Sequence, residues 1–91
     1  MKGILISIDY GGFEVRDDYF RDFMKRTGGL DDIREDPVLI EMVEKGRDIG
    51  ALFSEIGVVY IPDTATDYDV IEYDGKEWVV YVLDGQIHYA S

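Results

Sequence analysis

The sequence predicts an α+β fold: an antiparallel sheet of about four strands with two helices, or three, on one face, in the order β-α-α-β-β-β. Segments with helical spacing lie mostly in the first half of the chain, and segments rich in β-branched and aromatic residues lie mostly in the second half. Short Asp-Gly turns join the later segments, and turns of this length connect antiparallel neighbours. At 91 residues, the chain is expected to form a single domain over residues 1–91.

The first half is predicted to contain one strand and two helices. KGILISI is rich in Ile and Leu and indicates a buried strand, which Gly11 and Gly12 end. RDDYFRDFMKRTGG has apolar residues at helical spacing, acids at its start, bases near its end and a Gly-Gly stop. LDDIRED is predicted to be a connector. In DPVLIEMVEKG, Asp36 is the expected N-cap, Pro37 the first helical residue and Gly46 the stop. The following RDIGALFSEI fits either a short third helix or a buried loop.

The second half is predicted to consist of strands. GVVYIPD indicates a strand that Pro62 closes, because proline cannot donate to a strand ladder. IEYDGKEWVVYV, residues 71–82, is the clearest local pattern, with Asp74 and Gly75 as a two-residue turn between apolar arms. Its second arm is apolar on both faces, which favours a central strand over an edge strand. A second Asp-Gly pair follows, and QIHYAS is predicted to be a short last strand.

The net charge of −11 arises from 20 acidic and 9 basic residues. Residues 51–91 carry eight acids and a single base, Lys76. This charge disfavours direct binding of nucleic acids and anionic membranes, because phosphate groups are neutralised by Lys and Arg. It favours encounter with a basic partner protein. Two interpretations remain open: a well-solvated acidic surface, or a surface that competes with nucleic acid for a basic groove.

No pattern in the sequence indicates catalysis, a cofactor or a metal. His88 is the only histidine, and the loop DTATDYD lacks the glycine and distal glutamate of a calcium loop. The glycine pair after the first strand lacks the Lys and Ser/Thr of a phosphate-binding loop. There is no cysteine, and no apolar run has the length of a membrane span or the features of a secretory signal. We therefore expect a non-enzymatic cytoplasmic protein.

The aromatic content of 13% exceeds what so small a core is expected to bury, which favours a binding or homo-oligomer surface. The candidate interaction residues, chosen for their charge and expected exposure, are Asp67, Tyr68, Asp69, Glu72, Asp74, Glu77 and Trp78. The alternative is an oligomer that sequesters a small anionic ligand, such as a signalling nucleotide, on clustered arginines. Its candidate residues are Gly11, Gly12, Arg16, Arg21, Lys25 and Arg26, with Arg34 and Arg47 in the same half of the chain.

Three segments of the sequence are similar to segments of a known group of proteins: DYGGFEV, REDPVLIEMVEKG and VVYIPDTATDYDVIEYDGKEW. Together they resemble a group of small acidic proteins of phages and prophage regions for which no activity is known. The matching residues are Ile61, Pro62 and Asp63 at the proline stop, and Tyr73, Asp74, Gly75, Glu77 and Trp78 in the hairpin. The chain departs from the group at two places. After Trp78 it has VVYVLDGQIHYAS, whereas the group has a short tail that ends in His, Arg and an aromatic residue. It also has Arg16 at the position where the group usually has a serine cap. The resemblance implies a mobile-element origin and no known activity. Together with the acid excess and the surplus of aromatic residues, it leads us to expect an interaction protein that binds and blocks a bacterial host protein.

Overall fold

The computed structural model describes residues 1–90, and within them two α-helices and five strands form an α+β fold with two antiparallel sheets. The elements are β1 (Lys2–Ser7), α1 (Asp17–Thr27), a 3₁₀ helix (Ile33–Glu35), α2 (Pro37–Glu44), β2 (Ile56–Ile61), β3 (Asp67–Tyr73), β4 (Lys76–Leu83) and β5 (Gln86–Tyr89). The predicted α+β class is confirmed. None of the helices in these residues has the length and apolarity that a membrane crossing requires.

The strands divide between two sheets, which differs from the single sheet of about four strands that the sequence predicts. β1 pairs with β2, with Lys2 opposite Ile61 and Ser7 opposite Ile56, and the second sheet has the order β3-β4-β5. The chain changes sheets after β2, where Pro62 follows Ile61 and cannot donate to a continued ladder. A strand pattern identifies the element but not its partner, so the sequence leaves this division open.

The β1–β2 ribbon is the middle layer of the molecule. Leu5 packs on one side with Phe23 of α1 and Leu39 of α2. Ile4 and Ile6 pack on the opposite side with Val79 of β4. Because successive strand residues point to opposite faces, the continuous apolar run of β1 supplies both clusters. The helices therefore cover one face of the ribbon, and the three-stranded sheet covers the other.

Local signals determine the helix ends and the turns as predicted. The Asp36 carboxylate accepts the Leu39 N–H at 3.0 Å as the N-cap of α2, and Pro37 is the first helical residue. Asp74 and Gly75 have φ values of 55° and 93°, as a type I′ turn requires, and Tyr73 pairs with Lys76 across them. Asp84 and Gly85 form a second such turn between β4 and β5. The expected central position of β4 is confirmed.

In the ambiguous segment RDIGALFSEI, residues 47–55 form a loop and the last residue, Ile56, begins β2. Ile49 is buried in the helical cluster, and Val15 forms an isolated antiparallel bridge with Gly50. The Arg16 N–H donates to the Ile49 carbonyl at 2.9 Å, and the Ala51 N–H donates to the Glu14 carbonyl at 2.8 Å. These contacts attach the loop to the residues that precede α1. Within the LDDIRED connector, Ile33–Glu35 form the 3₁₀ helix.

Candidate interaction surface

The β3-β4-β5 sheet has one side packed on β1 and β2 and one side that no element of residues 1–90 covers. Alternation along the strands and the observed register place one set of residues on the uncovered side, which we call the outer sheet face. Trp78 lies opposite Ile71, Val80 lies between Asp69 and Tyr89, and Val82 lies between Asp67 and Ile87. The full set is Asp67, Asp69, Ile71, Tyr73, Lys76, Trp78, Val80, Val82, Ile87 and Tyr89.

The outer sheet face is mostly apolar and aromatic. Ile87 is 72% exposed and Tyr89 73% exposed, and Ile71 and Trp78 are also in contact with solvent. On the opposite side of the same sheet, Val79 is completely buried. Contiguous exposed apolar side chains on a small protein are typical of a surface that binds another molecule. This face is the strongest candidate site in the described part of the chain.

Two of the predicted acidic residues, Asp67 and Asp69, lie at one end of this face and also belong to β3, one of the two edge strands of the sheet. Asp67 Oδ1 accepts the Tyr68 N–H, and Asp69 Oδ1 accepts the Val70 N–H, each at 2.9 Å. In a hairpin with a two-residue turn, the N–H groups of Tyr68 and Val70 point away from β4. The carboxylates therefore cover backbone donors that an added strand would need.

The predicted residues Tyr68 and Glu72 lie on the inner side of β3. The Tyr68 hydroxyl donates to the Glu35 carboxylate, and burial together with this hydrogen bond raises the pKa of Tyr68. Burial by itself raises the pKa of Glu35, but hydrogen bonds from Lys2, at 2.8 Å, and from Tyr68 outweigh it and lower that pKa. Glu72 accepts the Gly75 N–H at 2.6 Å and so supports the hairpin turn.

The expectation that Glu77 is exposed is wrong, because only 6% of the residue is in contact with solvent. Its carboxylate forms a bidentate ion pair with Arg34, with both N–O distances at 2.8 Å, and accepts the Ser7 N–H at 2.8 Å. Arg34 also donates to the Leu5 carbonyl at 3.0 Å, and its guanidinium lies 4.0 Å from the centre of the Phe13 ring. Alternation places Glu77 on the same side as Val79, and the packing of that side on β1 buries both residues.

Of the seven predicted interaction residues, the structure thus brings Asp67, Asp69 and Trp78 together on one face. Asp74 is in the hairpin turn at the end of that face. The prediction missed Ile71, Val80, Val82, Ile87 and Tyr89. The period-two pattern of β4 was the available signal for Val80 and Val82, since both share a face with Trp78.

The residues of the alternative anion site take part in several separate contacts. A Cβ atom on Gly11 would lie 1.4 Å from the Phe53 carbonyl oxygen, so this glycine is required by a close backbone contact. Arg26 donates to Asp36, at 3.0 and 3.1 Å, and to Asp22, at 2.7 Å, and these hydrogen bonds raise its pKa.

Arg16 and Arg21 line one cleft beside α1, together with Glu14, Asp17 and Asp18. Arg16 also donates to the Asp48 carbonyl and lies over the Tyr19 ring. Lys25 is exposed near the end of α1, Arg47 lines a different cleft, and Gly12 adopts a φ of 82°. Arg34, as described above, is bound to Glu77.

Within residues 1–90, no group of three or more His, Cys, Asp or Glu side chains has an arrangement that suits a metal ion. Comparisons with protein-family models, with curated proteins and with solved structures found no match to this chain.

Proposed function

We propose that this protein is a non-catalytic interaction module that binds another protein through the outer sheet face. The observation that carries the proposal is the exposure of Ile71, Trp78, Ile87 and Tyr89 on one uncovered side of a sheet. Aromatic and aliphatic side chains of this kind form the central contacts of protein interfaces. The resemblance to phage proteins supports a host protein in the bacterial cytoplasm as the partner, with inhibition of that protein as the result.

The charge of the chain supports a basic partner. Asp67 and Asp69 flank the apolar part of the outer sheet face, and the net charge of the whole chain is −11. A partner with a Lys/Arg-rich surface would be attracted over long range, and the attraction would weaken as salt rises. A nucleic-acid-binding groove has this chemistry, so occupation of such a groove in place of nucleic acid is the form of inhibition we propose.

Capture from a bacterial lysate, followed by titration with the purified captured protein, tests this function. Ile87→Thr/Tyr89→Thr removes two highly exposed side chains while retaining a residue that favours strands. Leu30→Thr is the control, because Leu30 is 91% exposed, more than Ile87 or Tyr89, and lies in the loop that follows α1. We expect the first variant to lose at least about tenfold in affinity and the control to match the wild type. Equal affinity of all three proteins would contradict the proposal.

A separate competition experiment tests whether this protein and nucleic acid bind the same groove of the partner. Duplex DNA or RNA should compete with this protein for the captured partner, and raising the salt concentration should weaken both complexes. A partner that binds nucleic acid and this protein simultaneously would contradict competition for one groove while leaving the interaction itself intact.

A further inference from the structure

The loop between α2 and β2 ends in a tight turn with two apolar residues at its tip. The Ser54 N–H donates to the Ala51 carbonyl at 2.8 Å, which places Leu52 and Phe53 at the central positions. Leu52 is 88% exposed and Phe53 is 81% exposed. Such positions are usually occupied by Gly, Pro, Asn, Asp or Ser, which satisfy the backbone of a turn without exposing apolar surface.

Both ends of this turn are held by the rest of the fold. Ala51 is attached through its N–H to the Glu14 carbonyl, and Ser54 is buried. Gly11 packs against the Phe53 carbonyl, and Gly50 packs so closely that an added Cβ would lie 2.1 Å from the Ser54 carbonyl oxygen. The backbone is thus positioned while the two side chains extend into solvent. A pre-positioned backbone loses little conformational entropy on binding, which favours affinity.

The turn is surrounded by charged groups in which acids outnumber bases. The charged residues of one adjoining cleft are Asp9, Asp48, Glu55 and Arg47. Those of a second adjoining cleft are Glu14, Asp17, Asp18, Arg16 and Arg21. Leu52 lines both clefts. A complementary surface would therefore be an apolar cleft with Lys and Arg side chains at its rim. A second copy of the chain, or an anionic membrane, would present charge of the same sign.

The turn is also connected to the outer sheet face. Lys76 Nζ lies 5.9 Å from the ring centres of both Trp78, on that face, and Tyr10. Tyr10 is exposed and directly precedes Gly11, which packs against Phe53. A partner that covers Lys76 and Trp78 on the outer sheet face therefore lies close to the segment of Tyr10 and Gly11 that supports the turn.

We infer that Leu52 and Phe53 form an apolar anchor that enters an apolar, basic-rimmed cleft of the same partner protein that binds the outer sheet face. This inference rests on the proposed function and adds a second contact surface for the same partner. The anchor residues are separate from Ile87 and Tyr89 in sequence, so the two surfaces can be varied independently.

The test uses the captured and purified partner with four forms of the full chain: wild type, Leu52→Ser/Phe53→Ser, Ile87→Thr/Tyr89→Thr and Leu30→Ser. Serine suits a turn, and both tip side chains are nearly fully exposed, so the tip variant should melt within about 2 °C of the wild type. We expect the tip variant to bind at least about tenfold more weakly and Leu30→Ser to bind like the wild type. A photo-crosslinking residue at position 53 should attach to an apolar cleft of the partner bordered by Lys or Arg.

The outcomes separate this inference from the proposed function. If the tip variant binds within about twofold of the wild type while the sheet variant is weakened, the anchor is wrong and the sheet interface is supported. If only the tip variant is weakened, the anchor is supported and the sheet interface is wrong. If the wild type captures nothing that depends on either surface, both are wrong. Tip-dependent binding to phosphatidylcholine vesicles, or a tip-dependent dimer in sedimentation, would also overturn the anchor.

Discussion

Arg34 and Glu77 form a bidentate ion pair that joins two layers of the molecule across 43 residues of sequence. Arg34 belongs to the 3₁₀ helix and Glu77 to β4, and both also bond to the backbone of β1 between them. The carboxylate is almost completely enclosed, whereas the arginine retains some contact with solvent. This network attaches the three-stranded sheet to the ribbon, and so it holds the outer sheet face in place.

Replacing Glu77 with Ala should lower the free energy of unfolding by about 3 kcal/mol, because Arg34 and the Ser7 N–H would lose their partner in a largely enclosed site. Chemical denaturation measures the change. Arg34→Met/Glu77→Met should be less destabilised than Glu77→Ala, since it leaves no charge unpaired. Glu41, which pairs with Lys45 at 2.9 Å on the surface of α2, provides the control variant Glu41→Ala. Equal effects of Glu77→Ala and Glu41→Ala would show that the enclosed pair has no special role.

The hydrogen bonds of Glu35 with Lys2 and Tyr68, together with the burial of Tyr68, predict how stability depends on pH. The pKa of Glu35 is below its ordinary value of 4.5, so its contribution is present above that value and is lost as the pH falls through the folded-state pKa. The pKa of Tyr68 is above its ordinary value of 10.0, so its contribution is present below pH 10 and is lost as the pH rises further. Unfolding free energies measured from pH 3 to pH 11 should therefore decline at both ends of the range.

Tyr68→Phe should reduce the alkaline decline and weaken the acidic one, because it removes the hydroxyl that both effects share. Tyr60→Phe is the control, since the Tyr60 hydroxyl contacts Glu44 at an exposed position and a smaller change is expected. If the two variants have identical pH profiles, the Tyr68–Glu35 contact does not cause the decline.

The carboxylates of Asp67 and Asp69 are expected to protect the β3 edge from strand addition. Asp67→Ala/Asp69→Ala should increase self-association, measured by sedimentation velocity at several concentrations, because it uncovers the N–H groups of Tyr68 and Val70. Asp67→Asn/Asp69→Asn lowers the negative charge equally but retains an oxygen acceptor at each position. If the asparagine variant associates as strongly as the alanine variant, charge repulsion protects the edge and the hydrogen bonds do not.

Gly11 and Gly12 are predicted to be required for different reasons. Gly11→Ala should cost about 3 kcal/mol or more, because its new methyl group would overlap the Phe53 carbonyl and force the backbone apart. Gly12→Ala meets no atom within 4 Å and should cost only about 1 kcal/mol for its positive φ. Thermal unfolding of the two variants measures the difference. A larger loss at Gly12 would contradict the close contact.

Interactions between residues close in sequence could be predicted from the sequence without knowledge of the tertiary structure. The N-cap of α2 at Asp36, the type I′ turn at Asp74 and Gly75 and the glycine stops depend on contacts within about four residues. Such contacts form whatever the rest of the chain does, and for this reason residue types indicate them directly. Two-residue turns also require antiparallel neighbours, so the central position of β4 followed from the sequence.

What the sequence determined by itself is therefore the type and order of the elements, and which strand residues share a face. Only the tertiary structure decided which face is covered, because the alternation of side chains along β4 is the same whether Glu77 or Trp78 points inward. That choice depends on Arg34, 43 residues away, which supplies the charge that Glu77 needs in order to be buried. The exposure of Leu52 and Phe53 was likewise decided by Glu14 and Gly11, whose contacts determine the path of the loop. Distant partners of this kind leave no local pattern, since the energy of each contact depends on where the whole chain brings the groups together.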